Sequence, residues 1–317
     1  MIWLGVAAGL LVVWVLYDVL QRRHAIIRNF PIIGHFRYWL EAVGPELRQY
    51  IVTGNDEERP FSRDERRWVY ASAKRQNNYF GFGTDNDLEL SPNTIVLRHS
   101  TFAAAAGPSA TWDPARSLPA AKVLGQARGR ARAFRPNSVV NVSAMSYGSL
   151  SAPAVEALNR GAALAGCLHN TGEGGVCRYH DHGGELIWQI GTGYFGCRDE
   201  RGRFSMDRLL EVVDRFSVRA LEIKFSQGAK PGLGGVLPAA KVTPEIAEIR
   251  GVPPRRDCIS PQRHSAFHDV DSLLDFVESL AAGTGLPVGI KSAVGDVRFW
   301  HDLAEAMQDG TRGVDFV

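Results

Sequence analysis

The first twenty positions show no polar face. Ile2 to Tyr17 are apolar or small without interruption, and Val19 and Leu20 extend the run past Asp18. About 19 such residues make roughly 28 Å of helix, the length of a bilayer crossing. Nothing basic precedes the run, and Gln21-Arg22-Arg23-His24 follows it where a signal peptide would carry a small-x-small cleavage site. The pattern therefore predicts an uncleaved transmembrane anchor over residues 1–21, in contact with lipid through residues 2–20. Arg22, Arg23 and Arg28 lie on its C-terminal side, so the positive-inside rule puts the rest of the chain in the cytoplasm. The expectation is a single-pass protein of the inner (cytoplasmic) membrane, with Trp3, Trp14 and Tyr17 at the interfaces.

Residues 22–136 have no strong period and are predicted to be a scaffold. Ser62 to Gln76 reads as a helix capped by Ser62, with Asp64 and Glu65 in its first turn. The arginine-rich piece Arg128, Arg130, Arg132 and Arg135 reads as a solvated loop or a contact for lipid headgroups. After Pro136 short apolar runs alternate with helical periods. The predicted strands are 139–144, 167–170, 186–190, 220–225, 287–291 and 313–317. The predicted helices are 152–165, 206–216, 244–250, 270–282 and 297–308. Such alternation means an α/β fold with a parallel sheet covered by helices. No G-x-G-x-x-G follows the first strand, and polar residues recur at strand C-terminal ends: Ser146, Asn170, Gln189, Lys224, Lys291. That favours a (β/α)8 TIM-type barrel over a doubly wound sheet, with its mouth at those ends. Six strands are predicted over 137–317, so the barrel is expected to be incomplete by two.

Composition changes this picture little. A hydrophobic fraction of 45% fits a folded core, and a net charge of +2 gives no bulk argument for nucleic acid. Cys167, Cys177, Cys197 and Cys258 contain no C-x-x-C pair and read as reduced thiols, the first and last buried in strands, with no metal site predicted.

The chemistry sits in the mouth segments. Asn170-Thr171-Gly172-Glu173-Gly174-Gly175 places a carboxylate in a glycine-rich turn directly after a strand, where backbone amides can approach a ligand closely. Lys224 and Lys291 stand within apolar strands. A buried ammonium needs an anionic partner, either a structural carboxylate such as Glu222 or a bound anion. Lys230 and Lys241 follow in the next loop. Together these lysines predict an electron-rich anionic guest: a flavin edge, a dicarboxylate, or both.

Five ordered segments resemble the FMN-binding synthase domain of glutamate synthases. They are Ser143 to Ser151, Asn170 to Gly175, Glu222 to Gly232, Lys241 to Glu245, and Ile259 to Pro261 with His264. The resemblance runs from about Val139 to Val317 and is to the stand-alone, membrane-associated type. It implies a barrel holding FMN, with 2-oxoglutarate over the flavin. Ammonia adds to the keto acid, and reduced FMN delivers hydride to 2-iminoglutarate, giving L-glutamate. Carried over by motif, Met145, Ser146, Asn170, Gln189 and Lys291 would bind the cofactor. Glu173, Lys224 and Lys230 would be catalytic, Gln227 and Arg250 would bind substrate, and Asp271 would stand near the ammonia entrance. An electron donor such as ferredoxin or a reductase subunit is implied. So is an iron–sulfur cluster, although its cysteine cluster does not occur in these 317 residues. The flavin-phosphate segment is likewise outside them, so the chain as given is expected to bind FMN weakly. Two departures stand out. Pro231-Gly232-Leu233-Gly234-Gly235-Val236 has Leu233 and Val236 where the family carries a carboxylate and an amide. Asp269 stands where a serine is expected. Such losses change substrate preference, so a substituted glutamate or another amino acid is the alternative product. An inactive, truncated, membrane-tethered fragment is the non-enzymatic alternative.

Overall fold

Alternation of inward and outward side chains along four short strands organises the C-terminal two thirds of the protein. The computed structural model describes residues 2–48, 61–76, 101, 120–225 and 234–317. It divides into two units, residues 1–104 and 105–317.

In the first unit the apolar run forms helix α1 (Ile2–Leu20), followed by α2 (Ala25–Asn29), α3 (Ile33–Leu47) and α4 (Arg63–Ala73). Helix α4 starts where the sequence predicts, in a reciprocal capping box between Ser62 and Glu65. The expectation of a membrane-spanning helix is corrected. Among the described residues no helix is long and apolar enough to cross a membrane. Asp18 interrupts the apolar run within α1. Its carboxylate is fully buried, accepting the Ile32 backbone N–H at 2.9 Å and meeting His35 Nε2 at 2.9 Å. The last turn of α1 is thus tied into a packed helical corner. The uninterrupted stretch before Asp18 rises only ~24 Å, against ~30 Å of hydrocarbon.

The second unit is an α/β fold with a parallel sheet, consistent with part of a (β/α)8 barrel. Strands β1 (His169–Asn170), β2 (Leu186–Ile190), β3 (Val218–Lys224) and β6 (Val288–Lys291) pair in parallel, in the order β1-β2-β3-β6. The outer predicted strands shrink to single contacts. Val142 bridges His169 in parallel, while Val139 and Val140 are exposed. At the far side Asp315 and Phe316 exchange backbone hydrogen bonds with Val288 and Ile290. A small antiparallel pair, β4 (Val236–Leu237) with β5 (Cys258–Ile259), was not predicted. It brackets α7 (Pro244–Arg250), which agrees with prediction to the residue. Cys258 is buried in β5, whereas Cys167 is half-buried and precedes β1.

Helices α5 (Ala152–Ala165), α6 (Met206–Arg215), α8 (Val270–Thr284) and α9 (Val297–Ala306) complete the unit. Asp269 is the N-cap of α8, accepting from Ser272 N–H at 2.8 Å. The outward face of the sheet, including Trp188, Leu221, Ile223 and Ile290, packs with Leu209 of α6 and Leu273 of α8 as the main core. Asp271, in the first turn of α8, is exposed and pairs with Arg312 at 2.9 Å.

Arg130 departs from the surface reading of its segment. Its guanidinium is 8% exposed, donates to Glu278 Oε1 at 2.8 Å and the Gly313 carbonyl at 2.9 Å, and pairs with the buried Asp315 at 3.0 Å. Asp315 Oδ2 also accepts the Val288 N–H at 2.8 Å. Arg130 thus ties α8 to the chain beside β6. Removing one partner of such a buried cluster strands the others without compensation, so Arg130→Ala is predicted to cost about 3–5 kcal/mol. The check is the urea midpoint at unchanged m-value; a loss under about 1 kcal/mol would mean water screens the cluster.

Candidate functional site

Inward-facing residues of the sheet fall into layers, as the two-residue period of a strand requires. The lowest is an apolar plug in which Leu168, Ile187 and Ala220 meet Leu124, Phe134 and Phe316. One step toward the strand C-termini lie Asn170, Gln189 and Glu222. Gln189 and Glu222 are direct partners in the β2–β3 register, and the Glu222 carboxylate accepts from the side-chain amides of both Gln189 and Asn170. At the mouth are Lys224, Lys291 and the Glu173 turn.

That turn is built for close approach. Gly172 has φ of +66°, and a Cβ there would lie 2.6 Å from the Ser146 backbone nitrogen. The position requires glycine both for its conformation and for its contact. Glu173 Oε1 accepts from Lys224 Nζ at 2.8 Å, with both side chains largely buried. Behind Lys224, His264 Nε2 lies 2.8 Å from its backbone carbonyl, and His264 Nδ1 lies 3.1 Å from Tyr194 Oη. The Tyr194 oxygen already accepts the N–H groups of Ser265 and Ala266, so its own proton goes to Nδ1. His264 is therefore the neutral tautomer that donates from Nε2 to Lys224.

Arg250 closes the site. Thr243 caps α7 and Gly251 ends it in the left-handed region, leaving Arg250 as the last helical residue. Its side chain is buried, 6% exposed. Nη2 donates to the Tyr147 carbonyl at 3.0 Å, Nη1 to Cys258 Sγ at 3.7 Å, and the group stacks over the Phe195 ring. Nε has no hydrogen-bond partner, and among the described residues no carboxylate pairs with this guanidinium. Gly174 leaves it room, since a Cβ there would stand 3.1 Å from Nη2.

A cavity of about 300 Å³ runs between these groups, lined by Met145, Ser146, Glu173, Gln189, Lys224 and Arg250 among others. A larger apolar hollow of about 1200 Å³ lies in the first unit. It contains none of these convergent polar groups, and the smaller cavity is the candidate site.

The structure thus brings six of the expected residues together. Asn170 is buried just beneath the cavity, bonded to Glu222 and to the Gly172 N–H. Lys291 is exposed as the last residue of β6, paired in register with Lys224. Its buried-strand reading is corrected, because the strand ends as the side chain reaches the mouth. Gln227, Lys230 and Leu233 lie outside the described residues. Glu222 is not the partner of Lys224; Glu173 is. The sequence reading offered Glu222 only as a structural partner for Lys224, and gave no role to His264 or Phe195. The i, i+2 spacing of Glu222 and Lys224 in one apolar strand was the available signal for Glu222.

A parallel α/β sheet consistent with part of a barrel, with a polar cavity lined by Glu173, Lys224 and Arg250 at its C-terminal mouth, defines the class. Residues 125–310 match the conserved region in glutamate synthase. The chain belongs to the glutamate synthase family, whose members are flavin- and iron–sulfur-dependent oxidoreductases. It is 36% identical to the glutamate synthase large subunit-like protein YerD of Bacillus subtilis over 95% of this chain and 62% of that protein. It is also similar to the archaeal-type glutamate synthase [NADPH] of a Thermotoga species (35% identity, 56% of this chain, 32% of the relative). The archaeal glutamate synthase [NADPH] of Methanocaldococcus jannaschii matches at 36% over 49% of this chain and 28% of the relative. The chain therefore spans under two thirds of the length of these relatives.

Burial also fixes protonation. Burial holds the imidazoles of His169 and His264 below 6.5, and burial with the neighbouring His169 pushes His180 down to about 3. Below pH 6.5 the unfolded chain then binds protons that the folded chain refuses, so stability rises with pH in this window and falls on acidification. Each histidine adds up to about 1.4 kcal/mol per pH unit. Chemical denaturation between pH 7 and 5 is predicted to lose one proton's worth of slope in His180→Gln, whatever that variant's absolute stability. An unchanged slope would show that His180 charges within the fold.

Proposed function

We propose that this chain carries the synthase region of an FMN-dependent oxidoreductase that reductively aminates 2-oxoglutarate, through 2-iminoglutarate, to L-glutamate. The observation that carries the reading is the buried Arg250 guanidinium, which faces the cavity with no carboxylate partner among the described residues. A desolvated cation is costly, and its planar fork suits a carboxylate, so a dicarboxylic keto acid supplies what the fold withholds. Gln227 and Lys230 complete the substrate contacts in this reading.

The residues present also fit a flavin. The Met145–Ser146 backbone pressed against Gly172, the Gln189 amide, and Lys224 with Lys291 at the mouth offer partners for a ring edge bearing both N–H and carbonyl groups. When bound, reduced FMN supplies the hydride. The chain's own residues do the rest. Arg250 fixes the substrate carboxylate, and Lys224 Nζ gives a proton to the keto oxygen as ammonia adds. Glu173, 2.8 Å away, takes a proton from the added nitrogen and passes it to Lys224, and a second such transfer lets the oxygen leave as water while the imine forms. Electrons come from ferredoxin or from a nicotinamide-fed reductase, the latter in keeping with the NADPH in the names of several relatives.

A second reading, a related synthase for a substituted glutamate, is favoured by Val236. This residue lines the cavity, is 52% exposed and offers no hydrogen bond. The test is production of L-glutamate by the full-length protein supplied with reduced viologen, 2-oxoglutarate and ammonium. Arg250→Lys keeps the charge but loses the fork, and should raise KM for 2-oxoglutarate by about thirtyfold or more at nearly constant flavin content. Flavin-loaded protein that turns over another keto acid but not 2-oxoglutarate would move the assignment to the second reading. Loaded protein inert to every keto acid would sink both.

A further inference from the structure

We infer that Glu222 is a positioning residue that sets the polarity of the floor of the cavity. This rests on the flavin reading above. Its carboxylate sits one layer below the mouth and gathers the N–H ends of two amides, with Asn170 Nδ2 at 2.9 Å and Gln189 Nε2 close by. Two independent facts fix those orientations. Asn170 Oδ1 accepts the Gly172 N–H at 3.1 Å, which leaves only its nitrogen for Glu222. An ionised carboxylate only accepts, so Gln189 must also turn its nitrogen toward it.

The consequence lies on the other side of Gln189. This residue is 2% exposed and lines the cavity, which Glu222 and Asn170 do not. With Nε2 committed to Glu222, the group that Gln189 can present to a guest is its carbonyl oxygen, an acceptor shielded from water. A shielded acceptor selects a guest with an N–H. A keto dicarboxylate has none, whereas the flavin ring carries one N–H flanked by two carbonyls. Glu222 therefore acts through Gln189 to orient the flavin edge, without touching it.

In the full-length protein, Glu222→Gln places an amide against two amides and frees Gln189 to turn its nitrogen inward. FMN affinity, measured by quenching of flavin fluorescence, should weaken about ten- to a hundredfold, and the potential of the residual bound flavin should shift. The exchange Glu222→Gln with Gln189→Glu restores the hydrogen bond with its direction reversed and keeps an acceptor toward the cavity. It should recover FMN affinity to within about fivefold of wild type. A purely structural role would lower the melting temperature of Glu222→Gln and leave FMN affinity and potential unchanged, which overturns the inference. If the single variant does not fold, the exchange decides, and FMN binding more than about tenfold weaker than wild type overturns it. Failure of the wild-type full-length protein to bind FMN at all would instead remove the flavin reading on which this rests.

Discussion

One extra residue in β3 sets the phase of the site. Leu186 pairs with Val218, but Ile187 pairs with Ala220, so Arg219 has no partner in the register. Side chains along a strand alternate faces, and a one-residue slip exchanges them all. Before the bulge, Leu186 and Val218 both face the helices; after it, Ile187 and Ala220 both face inward. Everything above follows this phase: Gln189 against Glu222, then Lys224 against Lys291. Arg219 itself turns out to Glu185 at 3.3 Å and lies over the Phe134 ring. Without the bulge, Leu221 and Ile223 would occupy the mouth, and its carboxylate and ammonium would point into the apolar core.

Two buried arginines in this unit meet opposite fates. Arg130 is matched by two carboxylates and a backbone carbonyl, and its charge is spent inside the fold. Arg250 is equally buried, but among the described residues it meets a carbonyl, a thiol and a ring face. All three partners are neutral, and neutral partners do not offset the desolvation of a full charge. In the proposed reading this contrast, rather than burial itself, separates the structural Arg130 from the ligand-binding Arg250.

Much of this arrangement was legible in the sequence, for identifiable reasons. Helices α5 and α7 agree with expectation to the residue, because strong caps flank them: Thr243-Pro244 opens α7, and Gly166 and Gly251 close the two. The mouth residues were legible because burying a polar side chain at the end of an apolar strand is costly unless a partner or a guest meets it. What stayed hidden depends on contacts distant along the chain. The β3 bulge cannot be seen in the period of one strand. The partner of Lys224 is 51 residues away in a loop. The neutrality of Arg250's surroundings is invisible without Tyr147 and Cys258 beside it. The part that Asp18 plays in the apolar N-terminal run was hidden for a related reason. Asp18 looks like a tolerated interruption until Ile32 and His35 are seen to claim its carboxylate.

The arrangement of charge gives the cavity a direction. Lys224 is balanced by Glu173 at the mouth, and Arg250 adds a further positive charge to the same wall. The negative charge of Glu222 lies a layer deeper and is met by amide N–H groups, not by a cation. His264 is neutral, held so by burial and by the Tyr194 proton on Nδ1, so it fixes the Lys224 backbone without adding to the positive end. Were His264 charged, Nδ1 would also carry a proton, and two donors would face each other across the Tyr194 contact. The site therefore stays positive at its wall and accepting at its floor. In the proposed reading the keto acid points a carboxylate toward Arg250 and the flavin its N–H edge toward Gln189, and Glu222 and His264 shape this polarity without lining the cavity.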